Sequence, residues 1–259
     1  MKGRIVEMIG PPGIGKTTLY KALCKTWRPV SQWTHPAVLL QQQPPITEGR
    51  KWLAYQFRKW VEKDTSKSIP VTYGMRFIEL HPELASFYWQ YLSCKEVYAE
   101  DQIAMRFRAA HFLFTDFCRY QAINEHKDVK PCIISEGLLQ KSFFTHYERP
   151  FLPALIEKYI SLLPLPAAVI YINSGDKPLI IKRLRQREKI IPSHFGKDDA
   201  ALLADIETWN VVLDLMAAKL QERNVPVYPI EGAKDVSENI QTIQQLFKPD
   251  NHLLQLVQA

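Results

Sequence analysis

The chain has 259 residues, and several things it is short of exclude whole classes of protein. Its four cysteines, Cys24, Cys94, Cys118 and Cys132, lie far apart and contain no Cys-x-x-Cys pair. They build neither a zinc set nor a disulfide framework, so reduced thiols in a cytoplasmic protein are expected. None of the seven histidines stands at a metal-ligand spacing. No uninterrupted apolar run is long enough to cross a bilayer, so no membrane partner is expected. The first strand is read as beginning almost at once, so no signal or transit peptide is expected. There are no internal repeats and no low-complexity stretches. The charge excess is only +6 and is scattered. That suits an anionic small ligand, and without a basic stripe interleaved with aromatics no nucleic-acid partner is expected. What remains is an ordinary globular composition, 46% hydrophobic and 23% charged.

Glycine is scarce as well, ten residues in all, yet three of them are Gly10, Gly13 and Gly15. They belong to Gly10-Pro11-Pro12-Gly13-Ile14-Gly15-Lys16-Thr17, which fits the phosphate-loop pattern GxxxxGK[ST] at every fixed position. That pattern is informative only when a strand enters it and a helix leaves it. Arg4 to Ile9 reads as a short buried parallel strand. Leu19, Ala22, Leu23 and Trp27 recur at helical spacing. The glycines permit conformations and close approaches that a Cβ forbids. The loop amides then converge on phosphate at a helix N-terminus, where peptide dipoles favour negative charge. Lys16 supplies a point charge for the β- and γ-phosphates, Thr17 a hydroxyl for Mg²⁺, and Thr18 a contact to the α-phosphate.

The rest of the chain alternates short apolar runs with longer amphipathic ones. Pro29–Trp33 and Ala37–Gln41 are alternative second strands. Helices are predicted over Thr47–Lys63 and Pro82–Tyr91, within a helical insertion at about 36–100 that is read as packing over the phosphate loop. Asp101–His126 is a long helix with Ile103, Ala104, Phe107, Ala110, His111 and Phe114 as its apolar stripe. Strands Pro131–Ser135, Ala167–Ile172 and Val225–Ile230 alternate with helices Lys177–Lys189, Asp198–Arg223 and Val236–Phe247. The expected fold class is α/β: a three-layer sandwich around a mainly parallel sheet with right-handed crossovers, in one domain spanning 1–259. In such sheets ligands sit at the carboxyl ends of the strands.

That rule brings the phosphate loop, Glu136, the segment after Ile172 and Glu231-Gly232 to one rim. Glu136 ends a strand, where an acid can orient or deprotonate an attacking hydroxyl or hold Mg²⁺. Many P-loop ATPases carry Asp-Glu at this point, and here Ser135 stands before Glu136. Arg183 and Arg187 are four apart in the densest basic cluster and would share a helix face. Two guanidiniums there can clamp a phosphoryl group in transfer. The segment after them forms a candidate lid, about 183–197. On the long helix, Arg108 and Arg119 are candidates for a bidentate grip on an acceptor phosphate, with an internal Asp116–Arg119 pair as the alternative.

These motifs resemble the P-loop kinases of small molecules, specifically the thymidylate kinase and deoxyribonucleoside kinase group. The resemblance covers Gly10 to Thr18, the strand ending at Glu136, Arg183-x-x-x-Arg187, and Ile230-Glu231-Gly232-Ala233. It implies a five-stranded parallel sheet and frequent homodimers. Lid arginines map onto Arg183 and Arg187, and the strand-end acid onto Glu136. The segment Glu231, Gly232 and Ala233 maps onto the border of the adenine, so the nucleotide contacts run from Gly10, Pro11, Pro12, Gly13, Ile14, Gly15, Lys16, Thr17 and Thr18 to that segment. The group's Asp-Arg or Glu-Arg is Glu136-Gly137 here, so one substrate-side arginine is missing. A second set of lid arginines is missing too, and residues 36–100 align with nothing.

The function expected is Mg²⁺- and ATP-dependent phosphoryl transfer to a small acceptor, a nucleoside or nucleotide. A sugar or other metabolite is an alternative acceptor. A P-loop ATPase or regulatory switch with no acceptor is a rival of another class, as is a binding protein that keeps the loop without turnover. Asn173-Ser174-Gly175-Asp176 does not spell the NKxD guanine reader, which disfavours a guanine-nucleotide switch.

Overall fold

The computed structural model describes residues 4–26, 46–61, 69–94, 102–126, 131–187 and 194–246. Both candidate second strands and the tail after Pro249 lie outside these residues, as do 188–193 of the lid segment.

Four strands form one parallel sheet: β1 (Ile5–Ile9), β2 (Cys132–Ile134), β3 (Ala168–Asn173) and β4 (Val227–Glu231), in the order β2-β1-β3-β4. Val6 pairs with Ile133 on one side and Ala168 on the other, and Ile170 pairs with Tyr228. β1, β2 and most of β3 are buried, as strands covered on both faces must be. The sheet is thus the expected parallel α/β sheet, four strands wide among the described residues.

Helices flank the sheet on both faces; in chain order the described helices are α1 (Lys16–Thr26), α2 (Gly49–Val61), α3 (Val71–Leu80), α4 (Pro82–Leu92), α5 (Ile103–Glu125), α6 (Leu152–Leu162), α7 (Lys177–Arg185), α8 (Asp199–Glu222) and α9 (Val236–Leu246), and no described side chain of α2 belongs to either core layer. Asp176 caps α7 by accepting from Leu179 N–H at 2.9 Å, with Pro178 in the first turn. Asp198 caps α8 by accepting from Ala201 N–H at 2.8 Å.

The strands' alternation sorts the core into two layers. Ile5 and Ile9 face one layer with Phe77, Phe117, Tyr120 and Tyr159. Val6 and Met8 face the other with Leu23, Ile180, Ile206 and Ile243. In the first layer Phe77 of α3 stacks on Phe117 of α5 at 4.6 Å, and Tyr88 of α4 meets Tyr159 of α6 edge-on at 5.7 Å.

Several elements differ from the sequence reading. α3 and α6 were not anticipated, although in α6 the buried Leu152, Ile156, Tyr159 and Ile160 stand at helical spacing. α3 and α4 pack against α5 and α6, and no described residue of the insertion lines the cleft above the phosphate loop. The predicted stripe on α5 is displaced. Ile103 and Phe107 are exposed, and the buried positions are Leu113, Phe117, Cys118, Tyr120 and Ile123. The reason is length. A helix of 23 residues spans about 34 Å, whereas a strand of five residues covers about 17 Å. Only the C-terminal half of α5 has the strands beneath it. α7 stops at Arg185, four residues short of the prediction. Arg185 leaves for Asp199 and the Lys197 carbonyl, tying the helix end to the start of α8.

Candidate active site

β1 ends at Ile9 and α1 begins at Lys16, so the phosphate loop occupies the expected strand-to-helix turn. Gly13 and Gly15 sit at φ +83° and +102°, the left-handed region that glycine enters without steric cost. Leu19 N–H donates to Gly15 O at 2.9 Å and starts the helix. The amides before it have no partner within the helix, and amides so placed at a helix N-terminus favour an anion.

An open cleft of about 340 Å³ lies over this loop. Its walls include Pro12 to Leu19, Glu136, Gln140, Arg183, Arg187 and Gly232. The Lys16 side chain folds back onto the loop. Its ammonium donates to Gly10 O and, at 3.2 Å, to Pro11 O. Burial pulls its pKa down to about 8, with Glu136 opposing the shift and Arg187 adding to it. Glu136 and Arg187 therefore both act electrostatically on this ammonium, from side chains that are themselves exposed. Thr17 and Thr18 are exposed on the cleft wall.

Arg183 does something the sequence did not suggest. Its Nη1 donates to Ile14 O at 3.0 Å and to Gly232 O at 2.8 Å, joining the phosphate loop to the turn after β4. Arg187 lies beyond the end of α7, so the two arginines do not share a helix face, yet both line the cleft. In the β4 turn, Glu231 accepts from Ala233 N–H at 3.0 Å, which holds its carboxyl below the usual range. Asn239 of α9 donates to Glu231 O at 2.9 Å. Gly232 reaches the cleft, whereas Glu231 and Ala233, like Gly10 and Pro11, are outside its lining.

Of the two arginines expected to grip an acceptor phosphate, neither is in the cleft lining, and Arg119 lies beside the strand-end acid. Its Nη1 donates to Glu136 O at 3.1 Å and pairs with Asp116 at 3.6 Å. Asp116 is also bridged by Lys141. Arg108 is exposed, stacks over Phe112 at 5.5 Å, and is not brought to the cleft. Gln140, Lys234 and Asn239 line the cleft and were not singled out in the sequence. Gln140 and Lys234 lie in turns that follow strand ends, whose course has no periodic signature, and Asn239 lies in the first turn of α9.

No group of three or more His, Cys, Asp or Glu side chains arranged to hold a metal ion exists among the described residues. The hydroxyl and carboxylate donors at the cleft are instead Thr17, Thr18 and Glu136. Mg²⁺ commonly keeps several waters and takes one or two protein oxygens beside phosphate oxygens, so this donor set fits it.

No family model matches the sequence, and no curated protein matches it. Among solved structures, the chain is similar to deoxyadenosine kinase from M. mycoides, with the products dCMP and a flexible dCDP bound. The identity is 12% and the TM-score 0.42, over 93% of this chain and 96% of that one.

Proposed function

We propose that this chain is a P-loop kinase, transferring the γ-phosphoryl group of Mg·ATP to a small acceptor, a nucleoside or nucleotide. One observation carries the reading. The ammonium of Lys16 is buried at the start of α1, behind a loop whose Gly13 and Gly15 take positive φ, with the Glu136 carboxylate acting on it from the neighbouring strand end.

In this reading Lys16 and the loop amides hold the β- and γ-phosphates. When bound, Mg²⁺ supplies charge neutralisation at those oxygens, with Thr17 and Glu136 as its protein-side contacts. Glu136 also accepts the acceptor's hydroxyl proton as its oxygen bonds to phosphorus and the β–γ bridge breaks. Arg187 stabilises charge on the transferring group. Arg183 fixes the phosphate loop against the Gly232 turn, which borders the base of the nucleotide. Arg119 is the acceptor-side cation. A cytoplasmic enzyme, acting alone or as a homodimer, completes the reading.

The deciding experiment measures ADP release from Mg·ATP, alone and with pooled nucleosides, nucleotides or sugars. ADP release that rises with the nucleoside or nucleotide pool is the expected result. A rise with sugars alone moves the acceptor class, and release indifferent to every pool favours an ATPase or switch.

A further inference from the structure

The alternation of β1 puts Ile5, Glu7 and Ile9 on the face covered by α5, where an apolar residue belongs. Glu7 is nonetheless completely buried there, at 0% exposure. Its two oxygens are both used. Oε2 accepts from the Tyr120 hydroxyl at 2.6 Å, and Oε1 accepts from the Leu139 backbone N–H at 2.8 Å.

Leu139 belongs to the segment 136–140, which carries two cleft residues, Glu136 and Gln140. Polar contacts hold that segment along its length. Glu136 O accepts from Arg119, and Leu138 O accepts from the Tyr159 hydroxyl, which itself pairs with Tyr88. The Leu138 backbone also hydrogen-bonds to Tyr120. The Gln140 side-chain oxygen accepts from Gly10 N–H at 3.2 Å, closing the path back to the phosphate loop. Gly137 packs directly on the buried carboxylate, since a Cβ there would come within 2.5 Å of Glu7 Oε2. Glu7 thus occupies the space that any side chain at 137 would need, which gives Glu136-Gly137 a physical reason.

We propose that Glu7 is a positioning residue for the transfer reaction: through Leu139 N–H and Tyr120 it sets the height of the 136–140 segment, and so the reach of Glu136 and Gln140 to the phosphate loop. The proposal rests on the phosphotransferase reading of the cleft. A carboxylate suits the task because it offers separate oxygens to two donors arriving from different elements. An apolar side chain of similar size would leave Leu139 N–H and the Tyr120 hydroxyl buried without that acceptor. The segment would then relax to find other partners, and misplacement by about 1 Å far from the reacting atoms is enough to cost on the order of 100-fold in rate.

The test compares the full-length wild type with Glu7→Leu, Glu7→Gln and Tyr120→Phe. It reads kcat and the KM for ATP by ADP formation, and amide hydrogen exchange in peptides covering 136–140. Glu7→Leu should lower kcat by about 10- to 100-fold and leave the KM for ATP within about threefold. Exchange protection at 138–140 should fall while β1 and β3 stay protected. Glu7→Gln, whose amide oxygen can still accept from Leu139, should restore most of both. If Glu7→Leu does not fold, Tyr120→Phe carries the comparison, with a smaller fall in both readouts. Unchanged kcat in the folded variant, or a KM that rises as much as kcat falls, overturns the proposal. If the wild type transfers phosphate to no acceptor, the kinase reading has failed. The exchange arm then still decides, and undiminished protection at 138–140 in Glu7→Leu overturns the structural half.

Discussion

The guanidinium of Arg183 reaches the carbonyl of Gly232 at 2.8 Å while the same nitrogen also donates to Ile14 O. An arginine that closes two turns onto each other acts on the shape of the cleft between them. Arg187 has left the helix and its guanidinium influences Lys16 directly.

The two arginines are therefore expected to fail differently. Arg183→Ala removes charge-assisted bonds and should raise the KM for ATP by about 10- to 100-fold, with a smaller fall in kcat. Arg187→Ala should lower kcat more than it changes KM. Steady-state kinetics at varied ATP separates the two. Equal kcat losses with unchanged KM in both would mean that Arg183 meets the transferring group after all.

Lys16→Ala should remove turnover, by about 1000-fold or more, with the far-ultraviolet circular dichroism retained. Burial already disfavours this ammonium, so its removal carries little penalty for the fold. Wild-type activity in this variant would take the site assignment down with it.

Glu136→Gln keeps the shape of the side chain and removes its basicity. ATP binding, read by titration calorimetry, should stay within about threefold, while transfer slows by about 100-fold or more. Loss of ATP affinity with an unchanged transfer rate would contradict the role given to this acid.

Glu7 gives a pH dependence of stability. Burial pushes its carboxyl from 4.5 up to about 7, opposed by Tyr120, Lys141 and Leu139 N–H and assisted by Asp116. Tyr88 and Tyr159 also face it. Between those two values the folded chain keeps a proton that the unfolded chain has released. The contribution of Glu7 is thus fully present below about pH 4.5 and is lost as pH rises through about 7. Urea unfolding from pH 4.5 to 8 should show the wild type losing stability relative to Glu7→Gln, at a slope of at most about 1.4 kcal/mol per pH unit. Asp116 and the other carboxyls are common to both proteins and cancel in the difference. Parallel curves would remove the linkage.

What the sequence determined by itself was local. A glycine spacing with Lys16 and Thr17 behind it, an apolar run before it and a helical period after it spell a phosphate-loop motif without reference to anything distant, and the strand, turn and helix lie where those residues said they would. The parallel alternation of strands and helices was legible for the same reason, since periodicity is a property of neighbours. It also carried Glu136 to the rim, because a strand end in such a sheet has only one side to open on. Tertiary structure decided the rest. Nothing in Arg4–Ile9 marks Glu7 as buried, because its partners Tyr120 and Leu139 are more than 100 residues away. Arg183 and Arg187 looked equivalent until Arg185 ended the helix between them by reaching Asp199. The stripe on α5 was correct in kind and displaced along the helix, since a sequence states which residues are apolar and only the sheet beneath states which of them it is long enough to cover.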